Sequence, residues 1–187
     1  MIMFTKLFDV FPLLETQRLI LRPLAESDAQ DIFEVFSDRK VMEFYDLLPF
    51  ESLERAKEQI DFFTKGFEQK QMIRWGIELK ENGKLIGTCG FFAFNVDAMK
   101  AELGYELNST YQGKGLMTEA VSEAISFLFK QTSVNRVEAY VEPDNISSQK
   151  LAEKLGFTKE GTLRQYERCR GELIDICVFG LLRSDRK

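Results

Sequence analysis

From about Arg18 to its C-terminus this chain alternates between apolar residues at every second position and apolar residues at helical spacing. A sheet with helices packed on it accommodates both periods in one core. Leu19-Ile20-Leu21-Arg22 reads as a short strand ended by Pro23, because proline brings no N–H to a ladder. Ser27-Asp28-Ala29-Gln30 has the form of a capping box, and Ala29, Ile32, Phe33 and Phe36 follow at helical spacing. Ser52 can cap a second helix with the stripe Ala56, Ile60, Phe63 and Phe67. From Ile73 the period is two: Ile73, Trp75, Ile77 and Leu79 alternate with Arg74, Gly76, Glu78 and Lys80, as in a half-buried strand. Asn82-Gly83 predicts a hairpin turn, since both residues tolerate positive φ. Leu85 to Phe94 is apolar on both faces and reads as a central strand. In Ala101 to Leu107, Leu103, Tyr105 and Leu107 face away from Glu102, Gly104 and Glu106. A helix carrying Val121, Ala124, Ile125, Leu128 and Phe129 follows, then a strand at Val137, Ala139 and Val141 stopped by Pro143. Ile146 to Leu155 predicts a helix ended by Gly156, and strands near Thr158 to Arg164 and Leu173 to Leu182 close the chain. The order β-α-α-β-β-β-α-β-α-β-β is an α/β fold whose sheet is mixed, because it contains at least one hairpin.

The 187 residues fit one domain, read here as 15–187, with residues 1–14 an N-terminal extension packing on it. No apolar run approaches the roughly 18 residues of a membrane span. The first fourteen residues carry Lys6 and Asp9 and lack a small-residue cleavage site, which argues against a signal peptide. Cys89, Cys169 and Cys177 have no C-x-x-C spacing, and an odd count without a secretory signal points to reduced thiols in the cytosol. The chain has no histidine. That excludes Ser-His and Cys-His catalysis and the commonest metal ligand. No cysteine or carboxylate cluster takes its place, so no metal site is expected. A net charge of −5 argues against a nucleic-acid partner and favours a cationic one. Nothing separates a monomer from a homodimer.

One stretch carries chemistry. A strand leads through Asn108-Ser109-Thr110-Tyr111 into Gln112-Gly113-Lys114-Gly115, and a helix begins near Leu116. Glycines let the backbone approach a ligand and turn amides outward, and a helix N-terminus adds positive potential. The pattern suits a pyrophosphate, though ordinary turn-and-cap glycines would look alike. Walker and Rossmann loops are excluded: Leu116 follows Gly115 where the first needs Lys, and Thr118 stands where the second needs Gly or Ala.

Gln112-x-x-Gly115-x-Met117 resembles the Q/R-x-x-G-x-G/A motif of the GNAT N-acetyltransferases, with Met117 a departure from Gly or Ala. Asn145-Ile146-Ser147-Ser148, continuing to Lys154-Leu155-Gly156-Phe157, is similar to that family's N-x-x-S…K-x-G-F segment, and Leu103-Gly104-Tyr105 matches the strand before the loop. Thr16-Gln17-Arg18-Leu19-Ile20-Leu21-Arg22 and Leu85-Ile86-Gly87 resemble the Rim-type ribosomal-protein N-terminal acetyltransferases. The resemblance spans about Glu15 to Leu182. It implies a mixed, mostly antiparallel central sheet flanked by helices and transfer of acetyl from acetyl-CoA to a primary amine.

By that resemblance the backbone of Gly113, Lys114, Gly115, Leu116, Met117 and Thr118, beside Gln112, would hold the coenzyme A pyrophosphate. The strand end at Glu106-Leu107 would pair with pantetheine, Asn145 would hydrogen-bond the pantetheine arm, and Ser148 would return a proton to the thiolate. Transfer needs a neutral amine, donors for an oxyanion and a proton for the thiolate, with no covalent enzyme intermediate. Without histidine the base is a carboxylate: Glu167 lines up with the base proposed in Rim-type enzymes, and Glu106 is the rival beside the cleft. The acceptor is then a basic protein N-terminus, with a small-molecule amine or a non-catalytic acetyl-CoA-binding module as alternatives. Plainer readings stand beside these roles. Asn145 can simply cap its helix, and Glu106, Glu167 and Lys114 can be solvated charges.

Overall fold

The structure is a computed structural model that describes residues 5–186. Its elements run β1 (Leu14–Glu15), β2 (Leu19–Arg22), α1 (Ala29–Phe36), α2 (Leu53–Glu68), β3 (Ile73–Leu79), β4 (Leu85–Asn95) and β5 (Lys100–Leu107). They continue with α3 (Leu116–Gln131), β6 (Arg136–Val141), α4 (Ile146–Lys154), β7 (Thr158–Cys169) and β8 (Glu172–Leu182). One eight-stranded sheet has the order β1-β2-β3-β4-β5-β6-β8-β7. All its neighbours pair antiparallel except β5 and β6. The mixed, mostly antiparallel sheet is therefore as expected, with one strand more: Leu14 and Glu15 pair with Leu21 and Ile20. Two residues are too short to show a period.

Two apolar clusters lie on the sheet. The larger gathers Trp75, Cys89, Phe91 and Leu103 under the α3 stripe of Val121, Ala124, Ile125 and Leu128 and reaches Ala152 and Phe157. Leu7, Phe8 and Leu14 belong to it, and Trp75 Nε1 donates to the Pro12 carbonyl at 2.8 Å. The smaller joins α1 and α2 through Ile32, Val35, Phe36, Ala56, Ile60 and Phe63.

Three local expectations need correction. β3 is buried on both faces, Arg74 and Gly76 included, because α2 and its neighbours cover the face that alternation leaves polar. The first helix is entered through a short 3-10 turn, Glu26–Asp28, in which Asp28 accepts the Ala25 N–H at 2.8 Å. Asp28 thus does the work expected of the Ser27 box, and Arg22 clamps its carboxylate with two bonds of 2.8 Å. At Asn82-Gly83, positive φ falls on Gly83 alone.

Candidate active site

The sheet opens between β5 and β6. Their parallel ladder joins Lys100, Ala101 and Glu102 to Arg136, Val137 and Glu138 and stops there. Beyond it β5 stays with β4 as far as Leu107↔Gly87, while β6 stays with β8 as far as Val141↔Cys177. The twist between neighbouring strands fans two such separately held strands apart. A cleft of about 840 Å³ results, walled by Leu103 to Leu107 on one side and Ala139 to Val141 on the other.

The glycine loop closes one end of this cleft: Gln112, Gly113, Gly115, Leu116, Met117 and Thr118 all line it. Gly113 and Gly115 both sit at φ +74°, and a Cβ on either would meet nothing nearer than the Arg18 guanidinium 3.7 Å from Gly115. Glycine is required here by the left-handed backbone, not by crowding. Gly115 is the N-cap of α3, so the first-turn amides have no carbonyl within the helix. Met117 and Leu116 bury their side chains in the core, leaving main chain to face the cleft, which suits a motif position where side-chain identity varies. The Gln112 side chain donates to the Leu107 carbonyl at 3.1 Å and so braces the loop on the strand end. Arg18 holds the loop from outside, donating to the Lys114 carbonyl at 3.0 Å and to Glu119 at 2.6 Å. Lys114 is exposed and lies over the Tyr111 ring at 5.1 Å. An extended, pyrophosphate-bearing molecule fits this arrangement of loop and open strand edges.

At the mouth of α4, Asn145 accepts the Ser148 N–H at 3.1 Å and the Ser147 hydroxyl at 3.0 Å. Its side-chain oxygen is the helix cap. Ser148 Oγ and Tyr105 OH lie 2.5 Å apart, and burial raises the Tyr105 phenol. Tyr105 belongs to the Leu103-Gly104-Tyr105 match, but nothing in that segment gave its hydroxyl a role. Its placement on the face opposite Glu106 was the available signal.

A second chamber, of about 240 Å³, is lined by Asn145 and Ser148 together with Glu167, Glu142, Asp46, Phe44 and Tyr140. It brings Ser148, Asn145 and Glu167 together, although Glu167 lies on β7 and the other two at α4. A bulge makes this possible. Leu163 pairs with Ile176 and Glu167 with Ile174, so four steps along β7 match two along β8. Gln165 takes φ +49°, and its N–H is held by Asp175 at 2.8 Å. Burial raises the Glu142 carboxyl, a rise that the nearby Arg170 offsets only in part. Burial and the neighbouring Glu138 raise Glu102. Asp46 and Phe44 come from an irregular connection, where sequence patterns carry no signal.

Glu106 lies elsewhere. It lines the larger cleft and is 3% exposed. Its Oε2 accepts from the Arg74 guanidinium and the Thr88 hydroxyl, while Oε1 is a buried oxygen without a partner among the described residues. Arg74 also donates to Thr88 at 2.9 Å and stacks 5.2 Å from the Phe63 ring. Burial lifts the Glu106 carboxyl well above the usual range and lowers Arg74 to about 10. The plain reading of Glu106 as a solvated charge does not apply to a buried pair. Among the described residues no group of three or more Cys, Asp or Glu could hold a metal ion, and no helix is long and apolar enough to cross a membrane.

Comparison with known proteins bears on this geometry. The model of the acetyltransferase (GNAT) domain matches residues 18–158. An uncharacterized N-acetyltransferase of Bacillus subtilis, YoaA, is 40% identical over 174 residues, 93% of this chain and 98% of its own. The ribosomal protein uS5 alanine N-acetyltransferase of Escherichia coli is 25% identical over 181 residues, covering 92% of this chain and 91% of its own. The crystal structure of the ribosomal-protein-S5-alanine acetyltransferase of Vibrio fischeri superposes with a TM-score of 0.77 at 26% identity, over 94% and 99% of the two chains. With a family match over most of its length and a relative at this identity, the chain belongs to the GNAT family of acetyl-CoA-dependent N-acetyltransferases.

Proposed function

We propose that the acceptor is the α-amino group of a polypeptide N-terminus and that Glu167 takes its proton. The observation that carries this reading is the acid-lined chamber in which Glu167, Ser148 and Asn145 meet beside the split in the sheet. An α-ammonium has a reference pKa near 8, so a modest base frees it for attack, and the surrounding carboxylates favour the cation's arrival. Direct attack on the thioester needs no covalent enzyme intermediate. Ser148 returns a proton to the departing thiolate, with the Tyr105 hydroxyl behind it as the next donor. The main chain of Gly113 to Thr118 holds the pyrophosphate, the Leu107 edge holds the pantetheine, and Asn145 adds a bond through its amide nitrogen. Ribosomal-protein acetyltransferases among the relatives support a polypeptide acceptor and a cytosolic setting. A second reading, a small-molecule amine, is favoured by the limited volume of the chamber.

Thiol release from acetyl-CoA, measured against N-terminal peptides and small amines side by side, separates the two. Preference for peptides is the expected result. Preference for small amines would replace the acceptor assignment, and acetyl-CoA binding without turnover on any amine would make the chain a binding module. The loop has its own test. Gly115→Val forces a β-branched residue into left-handed backbone, where even unbranched residues pay roughly 1–2 kcal/mol. The free loop of the variant is expected to relax out of the left-handed conformation, and restoring it on binding then weakens acetyl-CoA affinity by about tenfold, at about 1.4 kcal/mol per decade, read by titration calorimetry. Unchanged affinity would remove the loop from the binding site.

A further inference from the structure

The turn between β1 and β2, Thr16 to Arg18, stands outside the cleft and belongs to neither of its walls. It is closed on itself: the Thr16 N–H donates to the Leu19 carbonyl and the Leu19 N–H donates back to Thr16 Oγ1, both at 3.0 Å. From this turn three donors converge on one carboxylate more than a hundred residues further along the chain. The Thr16 hydroxyl and the Arg18 N–H reach Glu119 Oε1 at 2.6 and 2.8 Å, and Arg18 Nε reaches Oε2 at 2.6 Å. Glu119 lies in the first turn of α3, directly after the glycine loop. Burial works against its charge, but the Thr16 and Arg18 bonds hold the carboxyl below its ordinary value. With Nε fixed on Glu119 the planar guanidinium has a set direction, and its Nη1 donates to the Lys114 carbonyl at 3.0 Å.

That carbonyl shares a peptide unit with the Gly115 N–H. The unit is trans, and in a planar trans peptide the C=O and N–H point in opposite directions. Drawing the carbonyl out toward Arg18 therefore turns the Gly115 N–H away from Arg18, and Gly115 lines the cleft. The loop does not enforce this by itself. Glycine takes φ of either sign at little cost, so the same peptide can rotate and present its oxygen to the cleft, where it would repel a phosphate. Glu119 would also repel such a ligand, and its pairing with Arg18 offsets that charge.

Resting on the acetyl-CoA reading above, we propose that Arg18, anchored by Glu119, is a positioning residue for the coenzyme A pyrophosphate. It acts through the main chain, holding the Lys114–Gly115 peptide with its N–H toward the cleft. The β1–β2 turn is thereby a working part of the cosubstrate site. A hydrogen bond to a charged group, made only when the peptide is so turned, is worth about tenfold in affinity.

Two measurements on the full chain test this. Titration calorimetry reads acetyl-CoA affinity with no acceptor present. Thiol release, with the fastest amine of the panel above, reads kcat and KM for acetyl-CoA and kcat/KM for S-acetyl-pantetheine, which keeps the thioester arm and lacks the pyrophosphate. Arg18→Ala is expected to weaken acetyl-CoA binding and raise its KM by about tenfold. Its kcat, and its kcat/KM on S-acetyl-pantetheine, should stay within about twofold of wild type, which also reports an intact fold. Glu119→Ala separates the brace from bare charge. It removes a negative charge beside the ligand, so charge alone would tighten binding, whereas loss of the anchor should weaken it about threefold or more. Unchanged acetyl-CoA affinity in Arg18→Ala, an equal loss on both thioesters, or tighter binding in Glu119→Ala overturns the positioning role. A wild-type chain that uses both thioesters equally well overturns the pyrophosphate assignment of the loop. No turnover on any amine overturns acetyl transfer, and the calorimetric comparison then still decides the brace.

Discussion

Glu167→Gln is expected to lower kcat by about 10²- to 10⁴-fold, the usual worth of a positioned general base, while acetyl-CoA binds as before. The separation follows from the architecture. Glu167 stands on β7 at the acceptor chamber, whereas the glycine loop lies at the far end of the larger cleft. Glutamine keeps the shape and loses the basic oxygen, so the residual rate should climb with pH as the amine sheds its proton unaided near its own pKa of about 8. Single-turnover kinetics at several pH values, with calorimetric acetyl-CoA affinity alongside, make the measurement. A kcat within about twofold of wild type would remove Glu167 as the base.

The largest stability effect is expected at Arg74. Arg74→Met leaves the Glu106 carboxylate buried and opposed by the Thr88 hydroxyl alone, and breaking one side of a buried ion pair costs about 3–5 kcal/mol. That corresponds to a fall in melting temperature on the order of 10 °C for a chain of this size. The sign with pH is specific. Burial raises the folded-state pKa of Glu106 above its unfolded value, so the folded form binds the proton more tightly. Its contribution to stability is full below the unfolded pKa and lost as pH rises through the folded one. The Arg74→Met deficit should therefore be small near pH 4.5 and grow toward neutrality, and adding Glu106→Gln should flatten it. Calorimetric melting across that range checks both. A deficit independent of pH would mean that Arg74 acts by packing on Phe63 instead.

Much of this was readable from residue order because periodic patterns report burial. The α3 stripe, the Val137-Ala139-Val141 strand and the Gly156 stop stand where the pattern puts them, and Gly113 and Gly115 mark the two left-handed positions of the loop. Other features depend on what a residue meets across the fold. Alternation puts Arg74 on the polar face of its strand, and nothing local says that α2 will cover that face and supply Phe63 as a partner. Glu106 looks like a surface carboxylate for the same reason. Glu167 reaches its chamber through a bulge whose left-handed residue is Gln165, a type that gives no warning of positive φ. Asp46 and Phe44 belong to a connection with no repeat to read.

The parting of β5 from β6 also bears on how the chain keeps to itself. A sheet ordinarily exposes unpaired backbone groups at two outer margins, where other polypeptides can add on and aggregation can start. This sheet has an inner pair of margins as well, Leu103 to Leu107 and Ala139 to Val141. They face each other across a slot whose ends are stopped by the starts of α3 and α4. An extended, thread-like molecule with hydrogen-bonding groups of its own can satisfy both margins at once. The liability of an incomplete ladder is thereby turned into selectivity for one shape of guest.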